Sequence, residues 1–413
     1  MQLNHAIESK EDLLNHFVSS KTLEIRNSLQ MEDLLKMNVP PEIWVDASNR
    51  NLLSFNQEFV QETLKFRIDY RNIEHIYLIS FLTNLTELDL QQNKISDISS
   101  ISKLKNLKKL DLNYNSIEDI SSLQSLTDLI YLDLSNNYLT SYTLALPNLV
   151  DLALSYNKRQ DTSGLQHSPK LQILYLSETQ ITDLCIILPQ LFGLKELYLS
   201  PNNITEISYL SNFIDLQILY LSQNKQLQNI GPLKFCTLLT QLDITATNVS
   251  DIWPLRFLKN LKQLQMAQTQ VVDLHPLQHL YKLKIIFAPY SGIIDVSPLS
   301  KLTQLYSLDF RFNKIINAET LKHHQKFSEY NFADQEVPTT DELTFYNKIL
   351  SVHSSHKQFR KIQNDKSVPK FRASLASNKN YISAMLNNQI MMMMSNELNL
   401  LVQFIQNSNS FLD

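Results

Sequence analysis

Three aspartates and three tyrosines recur at nearly constant intervals along this 413-residue chain: Asp89, Asp111 and Asp133 are 22 apart, and Tyr175, Tyr198 and Tyr220 are 23 and 22 apart. A column of carboxylates attracts a basic partner, and a column of phenols is the flat, amphipathic kind of anchor that protein interfaces favour. Other chemistry-bearing residues carry less. His275 and His279 bracket a proline, so they lack the one-face helical spacing of a zinc pair, and His353 and His356 have no evident third ligand. The run Met391 to Met394 reads as helix core rather than a soft-metal surface. The 4 glycines stand alone, which leaves no phosphate-cradling loop or dinucleotide fingerprint, and no nucleophile elbow or Cys/His arrangement accompanies them. The expectation is a non-enzyme with no cofactor and no metal.

The elements that position those columns are repeats. LTELDLQQNKISDI begins at Leu85, LKKLDLNYNSIEDI at Leu107 and LIYLDLSNNYL at Leu129, and the phase continues at Leu149, Leu171, Leu194, Leu216, Leu239, Leu261, Leu283 and Leu305. In LxxLxLxxN the alternating apolar residues form a short strand whose inward side chains fill a solenoid, and the Asn turns the chain. Asn93, Asn115, Asn137, Asn157, Asn202, Asn224 and Asn313 hold that position; Thr179, Thr247, Thr269 and Ser291 offer only a hydroxyl, so their coils should be less well tied. The second half of each unit, IxDIxxLxxL, covers the opposite side. Pro232, Pro254, Pro276 and Pro298 there predict short helical turns or extended segments, not long helices.

This unit resembles the 22-residue leucine-rich repeats of the protein phosphatase 1 regulatory subunit and, equally, those of bacterial internalins, over about residues 63–324. The resemblance implies an α/β solenoid: a curved array with a parallel β-sheet on the concave face, where such proteins bind their ligands. It names no partner.

Threading the repeat puts Arg67, Asp89, Asp111, Asp133, Ala153, Tyr175, Tyr198 and Tyr220 in one outward column. At a strand spacing of ~4.8 Å the three tyrosines span roughly 10 Å, flanked by Ile173 and Ile218 from the adjacent column. Glu87, Asp111, Asp133 and Asp151 form an acidic flank. LDLS and LYLS are also ordinary fillings of the repeat, so the columns have a purely architectural reading too. A second candidate is the basic run Lys357, Arg360, Lys361, Lys366, Lys370 and Arg372, fit for an acidic or phosphate-rich partner or simply the solvated face of a helix.

Residues 1–62 are expected to form an N-terminal cap, with a helix after Ser9 and degenerate copies near Leu23 and Val45. Residues 63–325 are the solenoid, and residues 326–413 a helical cap or interaction segment opening at Thr339. The net charge of -4 exerts no pull toward nucleic acid. The acidic N-terminal dozen is unlike a signal peptide, and no apolar stretch is long enough to span a bilayer. Cys185 and Cys236 fall in different repeats, roughly 10 Å apart by strand spacing, too far for a disulfide. The expected protein is therefore a cytoplasmic or nuclear scaffold or regulatory subunit, monomeric apart from its protein partner. The alternatives are an internalin-like surface adhesion protein and a phosphatase regulatory subunit.

Overall fold

A computed structural model describes residues 64–321 except 69–71, 158–161 and 185–190. It also describes residues 22–25, 44–46, 51–54, 329–336, 338, 340, 343 and 344. The chain divides into two compact units, Met1–Ile204 with Asn212–Tyr220, and Thr205–Ser211 with Leu221–Asp413.

In the first unit the repeats deliver β1 (Thr22–Ile25), β4 (Lys65–Ile68), β5 (Glu87–Asp89), β6 (Lys109–Asp111), β7 (Tyr131–Asp133), β8 (Asp151–Ala153), β9 (Ile173–Tyr175), β10 (Glu196–Tyr198) and β11 (Ile218–Tyr220). Each pairs in parallel with the next, and equivalent repeat positions stand opposite one another. The second unit repeats the pattern with β12 (Gln241–Asp243), β13 (Gln263–Gln265), β14 (Ile285–Phe287), β15 (Ser307–Asp309) and β16 (Glu329–Asn331).

The remaining pair, β2 (Trp44–Asp46) and β3 (Asn51–Ser54), is antiparallel and forms its own two-stranded sheet. The faint copy near Leu23 therefore joins the parallel array, and the one near Val45 does not: a coil strand needs a whole crossover before it pairs in parallel, whereas β2 and β3 are antiparallel and only 4 residues apart in sequence. The expected helix after Ser9 lies outside the described residues. Near Thr339, residues 340, 343 and 344 are helical, and Thr344 Oγ1 donates to the Thr340 carbonyl at 2.8 Å.

The core follows from the repeat. Leu85, Leu88, Leu90, Ile95, Ile98, Ile101 and Leu104, one coil's worth of apolar positions, are all fully or almost fully buried. Opposite the strands the chain forms 3-10 turns such as Ser99–Lys103 and Ser121–Ser125, and the four repeat prolines each open one. An Asp two residues before the first residue of several turns accepts that residue's backbone N–H: Asp97 from Ser99, Asp119 from Ser121, Asp251 from Trp253 and Asp295 from Ser297. The coil from β7 to β8 is two residues short and has no 3-10 turn. Tyr142, fully buried, fills that space, and Gly164 of the next coil donates its N–H to the Tyr142 carbonyl at 2.9 Å.

The asparagines tie each coil to its neighbour. Asn202 Oδ1 accepts from the backbone N–H groups of Thr179 and Ile181, while its Nδ2 donates to the carbonyls of Leu176 and Leu199. In the second unit Thr247 Oγ1 makes a single such bond, to Ile244, and Thr269 likewise donates to Met266. A hydroxyl does part of the carboxamide's work, as the sequence predicts.

Candidate protein-binding face

The aspartates of the outward column have an architectural task. Each accepts the backbone N–H two residues on: Asp89 from Gln91 at 3.2 Å, Asp111 from Asn113 at 3.0 Å and Asp133 from Ser135 at 2.8 Å, and in the second unit Asp243 from Thr245 and Asp309 from Arg311. A short carboxylate at the strand's last position closes the turn that follows, which is why the repeat reads LDL so often. A phenol oxygen, held a whole ring away from its own backbone, cannot do this. Tyr175, Tyr198 and Tyr220 therefore occupy the column for some other reason.

The three tyrosines are brought together as expected. They stand opposite one another on β9, β10 and β11, and all are partly exposed. The rings of Tyr175 and Tyr198 stack at 4.3 Å between centroids; Tyr198 and Tyr220 meet edge to face at 5.1 Å. The adjacent column is less apolar than Ile173 and Ile218 suggest. Glu196 lies between them in register and accepts a 2.8 Å hydrogen bond from the Tyr198 hydroxyl. Glu196 is absent from the expected site, although threading the column two residues before Tyr198 would have found it. Burial, reinforced by the Glu196 carboxylate, pushes the ionisation of Tyr198 above the ordinary phenol range, and burial also raises Tyr175.

The acidic half of the face splits into two kinds. Glu87 lies between Lys65 at 2.9 Å and Lys109 at 3.6 Å, and Asp89 pairs with Arg67 at 3.0 Å. These side chains, with Asp111 and Tyr131, line a cavity of about 510 Å³. Asp111, Asp133 and Asp151 have no ion-pair partner among the described residues. Burial, opposed by the Asn113 N–H and reinforced by Asp133 and Asp89, pushes Asp111 up to about 7. Burial with Asp133 and Glu196 nearby pushes Asp151 up to about 6, and burial likewise raises Asp133. Tyr131, between Lys109 and Asp151 in register, is raised by burial and by these same acids.

The other candidates separate. The basic run from Lys357 to Arg372, the histidines at 353 and 356, the methionine run and Cys185 lie outside the described residues. Cys236 is buried, and burial pushes its thiol up to about 12. His275 Nδ1 meets Asp273 at 2.7 Å, whereas His279 Nδ1 meets the Tyr281 hydroxyl, so the two do not share a ligand. Among the described residues no group of three or more His, Cys, Asp or Glu side chains is arranged to hold a metal ion. None of their helices is long and apolar enough to cross a membrane.

Comparison with known proteins agrees with this geometry. A family model of leucine-rich repeats in two copies matches residues 83–125 and 193–235. No curated protein sequence matches the chain. Among solved structures, internalin F of Listeria monocytogenes is similar at 29% identity, covering 71% of this chain and 86% of that one with a TM-score of 0.65. A leucine-rich repeat protein of Leptospira interrogans is similar at 20% identity, covering 78% and 91% with a TM-score of 0.61, a likeness of fold. The functional domain of Listeria monocytogenes internalin J, at 23% identity, 69% and 66% coverage and a TM-score of 0.56, is described as including a cysteine ladder. This chain has 2 cysteines in all, and its coils are tied instead by asparagine.

Proposed function

This chain is a leucine-rich repeat protein, and we propose that it holds a partner protein on the strand face of its first unit, with Tyr175, Tyr198 and Tyr220 as the central contact. Leucine-rich repeat domains are in general interaction modules without catalysis. One observation supports the choice of face: aspartate in this column closes a turn, and in three consecutive coils it is replaced by a partly exposed ring that cannot. Aromatic side chains held rigid by their neighbours lose little entropy on binding and supply large contact area.

The test is affinity purification from the native host with wild type and with Tyr175, Tyr198 and Tyr220 all changed to Ala, after circular dichroism shows both folded. Loss of a specific partner in the variant is the expected result. An unchanged set of partners overturns the reading and transfers the search to the basic run Lys357–Arg372.

The leading version is an intracellular scaffold or regulatory subunit; a phosphatase as its partner rests on repeat resemblance alone. The 29% identity to internalin F favours a second version, an exported adhesion protein that uses the same face. Fractionating the host separates them: the first requires the protein in the cytoplasm or nucleus, the second at the surface or in the medium.

A further inference from the structure

We propose that the segment recognised on this face is extended and cationic: it lays apolar or aromatic side chains on Tyr175, Tyr198 and Tyr220 and seats a Lys or Arg against Asp111, Asp133 and Asp151. The proposal rests on the reading of the strand face as a protein-binding surface and adds the chemistry of its occupant.

Charge complementarity carries it. The fold pairs the acids of β5 with cations, Lys65 and Lys109 on Glu87 and Arg67 on Asp89, and among the described residues makes no ion pair with the three carboxylates of β6, β7 and β8, although Arg67 is near enough to Asp111 to act on it through charge. Asp111 uses Oδ1 to close a turn and has a second oxygen to offer; Asp133 closes its turn in the same way and shares its carboxylate with the Ser135 and Tyr131 side chains, so it contributes mainly charge. Oδ1 of Asp151 is buried with no hydrogen-bond partner among the described residues. Asp151 as a whole is partly exposed, so an ammonium or guanidinium seated on its accessible side offsets electrostatically the cost of leaving that oxygen unpartnered.

The two halves of the surface belong to one footprint. Asp133 and Tyr175 flank Ala153 in the same column, so only one methyl-sized side chain separates the acids from the rings. From β6 to β11 there are five strand spacings, roughly 24 Å at ~4.8 Å each, which an extended segment of about seven or eight residues crosses.

Protonation supports the same assignment. Asp111 is faced by Arg67 and Asp89 on one side and by Tyr131 and Asp133 on the other, and Asp151 by Asp133 and Glu196. With carboxyls held high by burial, a cation seated among them draws them back down, so binding releases protons and strengthens as pH rises from 5 to 8.

The probe is a phage-displayed library of random octapeptides, selected on the full chain at low salt and measured by fluorescence anisotropy as synthetic peptides. The selected sequences are expected to place Lys or Arg to one side of an apolar or aromatic pair. The triple variant Asp111→Asn, Asp133→Asn, Asp151→Asn should weaken them at least tenfold, because Asn keeps the turn acceptor and loses only the charge. The Tyr175, Tyr198, Tyr220 alanine variant should weaken them too. Peptides that need the tyrosines but carry no cation and ignore the asparagine variant within twofold overturn this inference and leave the proposed function standing. Peptides indifferent to both variants, or no selected peptides, overturn both.

Discussion

The rings of Tyr175 and Tyr198 lie nearly parallel, 10° apart in plane and 4.3 Å between centroids, from the same register position on neighbouring strands. Parallel strands set that separation, and the Tyr198 hydroxyl is anchored on Glu196, so the stack is held by both backbone and side chain. Burial and the carboxylate both oppose ionisation of Tyr198. Spectrophotometric titration of tyrosinate should show a late-ionising group that Glu196→Gln moves toward lower pH, since one of the two causes is removed. No movement would mean that the hydrogen bond does not form in solution.

Asp111 gives the chain an unusual pH dependence. Its carboxyl is raised to about 7 by burial against an ordinary 3.8, so between those values the folded chain binds more protons than the unfolded one. Its contribution therefore favours folding in acid and is lost as pH rises from about 4 through about 7. Asp111→Asn keeps the acceptor for the Asn113 N–H and removes the buried charge. Urea denaturation should show the variant about 1–2 kcal/mol more stable than wild type at pH 8 and within about 0.5 kcal/mol of it at pH 4. Equal stability at both pH values would place Asp111 in a solvated setting.

His275 has the opposite sign. The hydrogen bond its Nδ1–H donates to the Asp273 carboxylate raises its ionisation above the usual histidine range, with burial working against it. The charged pair stabilises the fold fully below about 6.5, and the contribution disappears as pH rises through the raised value. His275→Gln should cost stability at pH 6 and almost none at pH 9; proton-detected titration of the imidazole checks the direction independently.

Periodicity alone places the strands, the buried Leu and Ile positions and the asparagine ties, because a coil that returns every 22 residues brings like positions together. What it hides is local. The residue before the repeat asparagine has positive φ in coil after coil, 56° at Gln92, 54° at Tyr114 and 55° at Phe312, where glycine would be easiest. No glycine marks it, because the carboxamide bonds and coil packing impose the conformation on whatever residue is present. Register alone makes the neutralising ion pairs legible: threading already stands Arg67 beside Asp89, but Lys65 and Lys109, which pair with Glu87, lie in the adjacent column, where the sequence draws attention only to Glu87, Asp151 and the isoleucines. That is why the acidic half of the site looked larger from the sequence than it is.

Gly164, in the 3-10 turn Ser163–His167, and Gly193, in the turn before β10, should respond differently to a methyl group. A Cβ on Gly164 would lie 2.6 Å from Thr143 backbone carbon and from the Tyr142 carbonyl oxygen, whereas one on Gly193 would meet nothing closer than the Leu171 oxygen at 3.9 Å. The shortened coil around Tyr142 leaves Gly164 no room. Gly164→Ala is expected to destabilise by about 1–3 kcal/mol and Gly193→Ala by less than about 1 kcal/mol, read from denaturation midpoints. Similar costs at both sites would mean that the coil around Tyr142 relaxes.

The asparagine ties can be weighed against the hydroxyl ones. Asn202→Ala removes an acceptor serving the Thr179 and Ile181 N–H groups and a donor serving two carbonyls, all buried. Thr247→Ala removes one donor, to Ile244. With a buried group left unsatisfied costing about 1–3 kcal/mol, Asn202→Ala should destabilise by roughly 3 kcal/mol and Thr247→Ala by roughly 1 kcal/mol. Because each coil touches only its neighbours, the loss should also be local: hydrogen exchange should accelerate at Thr179 and Ile181 in the first variant before it does in coils further along. Equal costs at the two positions would mean that the carboxamide contributes no more than a hydroxyl, and that coil-to-coil packing, not the asparagine ties, holds the repeat together.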